Sequence, residues 1–376
     1  MPLKEDAMLK GRLVLDCSNA MGWLAGRMLG DLGAEVVKID LPGTDRTDAR
    51  WLAYNINKRP LTLQLSEPAG RASFDAMVGT ADIVIACPRP SRDGDLFDHE
   101  RLSRINSQVI TVAITPFGRE GPRAGWRASD IELMAAGGAM SLAGEPDGMP
   151  MRVSEPQSYC WAGAQAACGA LLALNNRHAT GRGELVDVSA QAAVVTILAQ
   201  APAHWDINRV EAARAGTFMT GRAVSGARYR VFWPCRDGYI DFIIYGGVAG
   251  RRTNEQLVAW MREAGHELGA LANIDWAKFD ATQTTQTEVD AIEAPMERFF
   301  LSLTKSEFLD GAHRREMLGY PVSTVADITT DPQLDAREFW QTAPGPDGRP
   351  VRYCGSFVVV DGRRPPLRAG GRAREN

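Results

Sequence analysis

Residues 12–40 read RLVLDCSNAMGWLAGRMLGDLGAEVVKID, and the fold class follows from this stretch. Arg12 to Asp16 is a short apolar run bounded by polar residues, the pattern of a strand buried on both faces of a parallel sheet. Ser18 and Asn19 are placed to cap a helix running to about Leu32. Gly33 ends that helix, and Ala34 to Asp40 is the next strand, completing a βαβ unit. Within the helix Gly22, Gly26 and Gly30 recur every four residues on one face. Each costs roughly 1 kcal/mol against Ala, so the bare face implies close backbone packing or the approach of a ligand.

Asp40, at the end of the second strand, invites a nicotinamide-dinucleotide reading, because an acidic residue there can hold a ribose. The glycine fingerprint of that reading is missing. After Asp16 the chain continues CSNAMGWLAG, with no GxGxxG at the turn. A Rossmann-like scaffold without that cofactor is the better reading.

More α/β units follow. Residues 81–86 and 109–114 read as strands, with helices near 68–79 and 97–105. The loop 115–127, TPFGREGPRAGWR, follows a parallel strand, a position that commonly contacts ligands. Helices are expected over 130–145, 161–176 and 190–200, with a strand at Leu185 to Ser189. These elements make residues 1–205 a large Rossmann-like domain. The pattern changes after about residue 205. Ala227 to Tyr245 signals a β-hairpin with Asp237-Gly238 at its turn. Helices near 250–265 and 286–310 and a short strand at Pro321 complete a smaller α+β domain over 206–330. A capped helix from Asp331 and two short strands in 350–361 lie in a third segment, 331–376.

Composition narrows the function. The 376 residues are 45% hydrophobic and 23% charged, which is ordinary for a globular chain. Lys and Arg number 42 against 46 Asp and Glu, so no basic excess points to nucleic acid or a membrane surface. Six cysteines lie far apart without a CxxC pair, and the five histidines form no HExxH motif. The expectation is reduced thiols in a cytoplasmic protein and no metal site. The start, MPLKEDAMLKGRL, has no apolar h-region and is not a signal peptide. The most apolar helical run, Trp161 to Leu174, is short of the ~20 residues that span a bilayer.

Five segments, taken in order, resemble the family III CoA-transferases (the CaiB/BaiF superfamily, formyl-CoA transferase-like), a group that also includes carnitine CoA-transferases and α-methylacyl-CoA racemases. They are LKGRLVLDCS…LGDLGAEVVKID, YNINKRPLTLQLSEPAGR, ADIVIACPRP, CGALLALNNRHATGRGELVDVS and MLGYPVSTVADITTDPQLDAREFW, and the resemblance runs from about Leu9 to the C-terminus. It implies a Rossmann-like CoA-binding domain, a smaller domain, a C-terminal segment returning to the large one, and two chains interlocked as rings. It also implies an aspartate that attacks the acyl thioester, giving first an enzyme anhydride and then an enzyme–CoA thioester. CoA and acyl-CoA are then substrates, and no cofactor is bound covalently.

The family's aspartate opens a D-x-x-x-G stretch, and here the matching residues are Tyr159-Cys-Trp-Ala-Gly163. Tyr159 thus stands at the nucleophile's position, and a phenol cannot form the acyl anhydride. Other family contacts are replaced around Asp40-Leu41-Pro42, at Cys87-Pro88-Arg89 and at Ser66. Arg127 does match a basic family position and is the candidate contact for a CoA phosphate. The racemase pair of His and Asp is absent too, because Ser129 and Tyr159 occupy those positions. Glu155, four residues before Tyr159, is the alternative carboxylate. Asp130 reads as a helix N-terminal residue, and His178 as a helix-end cation.

The resemblance therefore implies a nucleophile-lacking subunit of a heteromeric enzyme. Its partner is a paralogue carrying the aspartate, and its substrates are an acyl-CoA such as succinyl-CoA and a carboxylic acid, with benzylsuccinate the leading candidate. Two alternatives are a self-sufficient homodimer using Glu155 or non-covalent chemistry, and a CoA-binding scaffold without activity.

Overall fold

The computed structural model describes residues 7–89, 93–345 and 347–368. The chain forms two compact units. One comprises Met1–Ser141, Arg152–Ala212 and Asp331–Asn376, and the other Leu142–Met151 and Ala213–Thr330.

The first unit is built on six strands: β1 (Leu13–Cys17), β2 (Glu35–Asp40), β3 (Arg59–Thr62), β4 (Ile83–Ala86), β5 (Ile110–Thr115) and β6 (Leu185–Ser189). Their order is β3-β2-β1-β4-β5-β6, with every neighbouring pair parallel. This is the doubly wound arrangement expected of a Rossmann-like scaffold, with its reversal point between β1 and β4. Alternation along the strands assigns the two cores. Val14, Ile83, Ile85 and Val112 pack on one face, and Leu15, Val37 and Val84 on the other. Apolar residues on both faces are what a strand covered by helices on each side requires.

Up to residue 208 the described helices of this unit are α1 (Trp23–Asp31), α2 (Ala49–Asn55), α3 (Pro68–Val78), α4 (His99–Ile105), α5 (Asp130–Ala136), α6 (Ala139–Leu142), α7 (Ser158–Thr180), α8 (Ala190–Ile197) and α9 (Gln200–Asn208). Several differ from the sequence expectation. α1 starts at Trp23 because Ser18 does not cap it. Its hydroxyl instead donates to Asp16 Oδ1 at 2.6 Å, and Asn19 Oδ1 accepts from the Met21 amide at 3.0 Å. The helix expected over 130–145 breaks at the glycine pair, where Gly138 has φ +86°. β3 had no apolar run to announce it, since Pro60 and the preceding charges mark it as an edge strand. The long α7 is one turn longer at its start than its apolar run. Ala162, Ala166, Ala170 and Ala173 are buried along it. A Cβ on Gly163 would lie 2.9 Å from Leu24 Cβ, so that glycine lets α7 sit against α1. At the other end Arg177 donates to Asp82 Oδ1 at 2.5 Å and to Gln108 O at 2.9 Å, tying the helix to the sheet before Gly181 ends it.

The glycine face of α1 has a physical cause inside the fold. Lys58 and Asp16 are completely buried and paired at 2.7 Å. Lys58 Nζ also donates to Trp23 O at 2.7 Å and Asn55 Oδ1 at 2.8 Å, so β1, α1 and α2 meet on one ammonium group. A Cβ on Gly26 would stand 2.3 Å from Asp16 Oδ2, and one on Gly30 would stand 2.8 Å from Asn57 Nδ2. The bare face makes room for this buried polar network. Alongside it, Lys38 reaches Ser18 O at 2.8 Å and Asp40 at 3.2 Å. Burial lowers the Lys58 pKa to about 8, against the pull of Asp16.

The second unit carries an antiparallel sheet of β9 (Phe232–Cys235), β10 (Gly238–Asp241) and β11 (Tyr320–Pro321), and a short pair, β7 (Phe218–Met219) with β8 (Tyr229–Arg230). Cys235 pairs with Gly238, which places Arg236-Asp237 at the hairpin turn, one residue earlier than expected. The helices are α10 (Gly247–Glu263), α11 (Gln286–Leu301), α12 (Lys305–Arg314) and α13 (Val325–Thr329). The single helix expected over 286–310 is two, because Thr304 and Glu307 form a capping box that starts the second. Trp233, Trp260, Phe299, Phe300 and Phe308 interlock edge to face in its core. The chain then returns to the first unit through α14 (Pro332–Ala336) and the hairpin of β12 (Trp340–Pro344) and β13 (Pro350–Cys354).

Removing one partner from a buried ion pair leaves an uncompensated charge. Lys58→Met is therefore expected to lower the unfolding free energy by about 3–5 kcal/mol, read from urea denaturation. A loss below about 1 kcal/mol, the range of a solvated pair, would contradict the structural role assigned to it.

Candidate functional site

In an open parallel sheet, ligands collect beyond the carboxyl ends of the strands at the reversal point. Here β1 and β4 end at Cys17 and Ala86, and the chain continues into Ser18-Asn19 and Cys87-Pro88. The starts of α5 and α7 converge beside them. Asp130, the first residue of α5, is buried, and its Oδ1 accepts from both the amide (2.9 Å) and the hydroxyl (2.7 Å) of Ser158, the first residue of α7. One carboxylate thus joins two helix N-termini, where negative charge is favoured. Ser129 precedes it in a capping box, with the Glu132 carboxylate accepting from the Ser129 amide at 2.7 Å and from its hydroxyl. The sequence reading of Asp130 as a helix-start residue agrees with this geometry, and the bond to Ser158 is the part it did not contain.

That bond sets the position of Tyr159, the next residue. Tyr159 is half-buried and packs against the core of the first unit. Its pKa is raised above the ordinary 10, first by burial and then by the charge of Asp130, with the Asp130 backbone amide acting in the opposite sense. At neutral pH the side chain is a neutral phenol.

Tyr159 faces a pocket of about 20 Å³, lined also by Trp23, Arg50, Tyr54, Glu155 and Cys160. That volume admits about one water molecule. The structure brings Glu155 and Tyr159 to one pocket, as their spacing suggested. Glu155 is largely exposed, and its nearest cation is Arg50 at 3.5 Å. Sequence reasoning missed Arg50, Tyr54 and Cys160. Tyr54 OH lies 3.4 Å from Cys160 Sγ, and burial, followed by this contact, raises the Tyr54 pKa. Cys160 adjoins Tyr159 in the chain, but nothing in the sequence marks its approach to a residue 106 positions away.

The remaining candidates separate. Arg127 is exposed on the loop before α5, and no hydrogen bond or ion pair holds its guanidinium among the described residues. Asp40 is buried and spent on Lys38 at 3.2 Å and Arg46 at 2.9 Å, so it offers no free carboxylate to a ribose. Cys87 is partly exposed, and burial pushes its thiol up to about 12. Ser66 and His178 are exposed, His178 in the last turn of α7 where cations are favoured. Among the described residues no group of three or more His, Cys, Asp or Glu is placed to hold a metal ion, and no helix is long and apolar enough to cross a membrane.

Comparison with known proteins gives a consistent picture. The profile described as CoA-transferase family III matches residues 9–370. The subunit BbsE of succinyl-CoA:(R)-benzylsuccinate CoA-transferase from Thauera aromatica is 32% identical, over 88% of this chain and 82% of its own length. Acetyl-CoA:oxalate CoA-transferase from Acetobacter aceti is 28% identical over 94% and 91%. Among solved structures, a CAIB/BAIF family protein from Brucella suis superimposes with a TM-score of 0.82 at 25% identity, covering 96% of this chain and 95% of that one.

The raised pKa carries a direct test. The ultraviolet difference titration between the wild-type chain and Tyr159→Phe is expected to show this phenol ionising only above pH 10. Ionisation below pH 9 would mean that the site holds a phenolate and would reopen it as a nucleophile.

Proposed function

The chain belongs to CoA-transferase family III, and we propose that within it this is the subunit without the nucleophile of a heteromeric enzyme. The observation that carries the reading is Tyr159: the residue that motif spacing matches to the family's aspartate is a neutral phenol beside a pocket with room for about one water. The neighbouring carboxylate, Asp130, is occupied with Ser158. Neither Tyr159 nor Asp130 is therefore suited to take up an acyl group. The partner is a paralogue of similar size carrying the aspartate, and the two chains form the interlocked dimer.

The chemistry balances on the partner's carboxylate. It attacks the acyl thioester and expels CoA thiolate, leaving a mixed anhydride. The thiolate then attacks the enzyme's own carbonyl and releases the donor acid, leaving an enzyme–CoA thioester. The acceptor carboxylate attacks that thioester and expels CoA thiolate, leaving a second mixed anhydride; the thiolate then attacks the acceptor's carbonyl, forms the new acyl-CoA and frees the aspartate. CoA thioesters are substrates throughout. Arg127, exposed and without a partner among the described residues, is suited to a charge-assisted bond with a CoA phosphate.

Two further observations support a partner. No residue of α9 is buried, while Trp205 and Ile207 stand exposed on it. A nine-residue helix is marginal in water unless packing supports it, so a second chain is the natural cover. The relative at 32% identity is itself named as a subunit. Its named substrates favour succinyl-CoA as donor and an aromatic succinate such as benzylsuccinate as acceptor. All six cysteines are free, which fits the reducing cytoplasm.

A second reading has one observation in its favour, since Glu155 lines the same pocket as Tyr159. Incubation of the two-chain complex with acyl-CoA, quenching and peptide mass spectrometry separates the two. The expected result is an acyl or CoA adduct on the partner's aspartate, none on this chain, and unchanged exchange in Glu155→Gln. The purified single chain is expected to show no exchange. Full transfer by the single chain, or an adduct on Glu155, would overturn the proposal.

A further inference from the structure

A larger cavity lies at the opposite, amino-terminal end of the same sheet, where the chain enters β1 and leaves α1. Its volume is about 520 Å³, within the 300–1,000 Å³ or so typical of small-molecule sites. The floor is the last turn of α1 through Gly33. One wall is Ala7 to Lys10 and the other is the stretch from Val360 to Arg368.

Both walls are fastened to the floor. The Leu9 amide donates to Leu32 O at 3.0 Å, and Arg368 Nη1 donates to Gly33 O at 3.2 Å. Gly33 has φ +105°, and a Cβ there would come within 2.4 Å of Ala7 Cβ. Only glycine permits both that backbone and that closeness. The C-terminal wall is held further by Arg27, which donates to Cys354 O at 2.6 Å, and by Arg364, which donates to Arg337 O at 3.2 Å and to Ser356 O.

Among the described residues the charges around the cavity do not cancel. Four cations of that set line it: Lys10, Arg363, Arg364 and Arg368. Asp31 and Asp361 face them, but the Asp31 carboxylate is spent on Arg27 at 2.9 Å and Asn57 at 2.6 Å. The end of α1 adds about half a negative charge, so a positive excess remains. Among the described residues Lys10 and Arg363 have no side-chain hydrogen bond or ion pair. The rest of the lining includes Met8, Leu32, Val360, Pro365 and Pro366, an apolar surface between cations.

We propose that this cavity binds a small organic dianion with a short apolar body, of the dicarboxylate class, with Lys10 and Arg363 as its principal charge partners. The apolar lining favours a dicarboxylate over inorganic phosphate, because a carbon chain gains from leaving water and a bare phosphate does not. The inference does not rest on the reading of Tyr159, and its test leaves that reading untouched.

Isothermal titration of the full chain with succinate, inorganic phosphate and neutral succinamide decides it. The expected result is saturable 1:1 binding of succinate that weakens with salt, weaker binding of phosphate and none of succinamide. Lys10→Ala with Arg363→Ala should weaken succinate binding at least about tenfold, the loss expected when charge-assisted bonds are removed. Arg127→Ala, beyond the carboxyl ends of the strands, should leave it unchanged. Circular dichroism checks that the double variant folds, and the milder Arg363→Gln is read if it does not. Absence of saturable succinate binding, equal binding by the variants, or binding of phosphate alone would overturn the proposal. So would variants that block association with the partner chain while the wild-type chain ignores succinate, since the cavity would then be a protein interface.

Discussion

The first unit depends on one buried ammonium group. Lys58 draws Asp16, the start of α1 and the end of α2 onto a single point inside the sheet's first crossover. Two charges in a low-dielectric interior are tolerable only when each is paired and its remaining hydrogen-bonding capacity is used, and both conditions hold here. The consequence spreads outward. α1 must present glycines where the network passes, and Ser18 must turn toward Asp16 instead of capping the helix. Trp23 and Leu24, at the start of α1, and Arg50 and Tyr54, on α2, are thereby placed around the pocket of Tyr159.

The pocket of Tyr159 is framed by parts that the first unit fixes. Asp130 joins two helix starts, α7 lies against α1, and the reversal point opens between β1 and β4. Burial beside Asp130 keeps the Tyr159 phenol neutral. On the proposed reading a second chain carries the reaction, and this one keeps the framework that the two share.

Much of the framework could be read from residue pattern, because apolar strands flanked by helices announce a parallel sheet directly. β3 escaped notice since an edge strand interrupted by Pro60 has neither an apolar run nor a clean alternation. The break of the 130–145 helix was present in Gly137-Gly138, and that of 286–310 in the Thr304–Glu307 capping box, but both signals were outweighed by the helical stretches around them. For the site, motif spacing singled out Tyr159, and the structure sets it in one pocket with Glu155. The approach of Tyr54 to Cys160, and of Arg50 to Glu155, came from packing between segments about a hundred residues apart.

Residue pattern alone carried the class of fold and the family, since each depends on local periodicity or on motifs matched in order. Tertiary structure alone decided what the α1 glycines are for, that Asp40 is consumed by Lys38 and Arg46, and that two chain segments near opposite ends of the sequence enclose a cationic cavity. Those outcomes depend on which buried charges meet and which backbones approach, and such distances are settled only when the whole chain has packed.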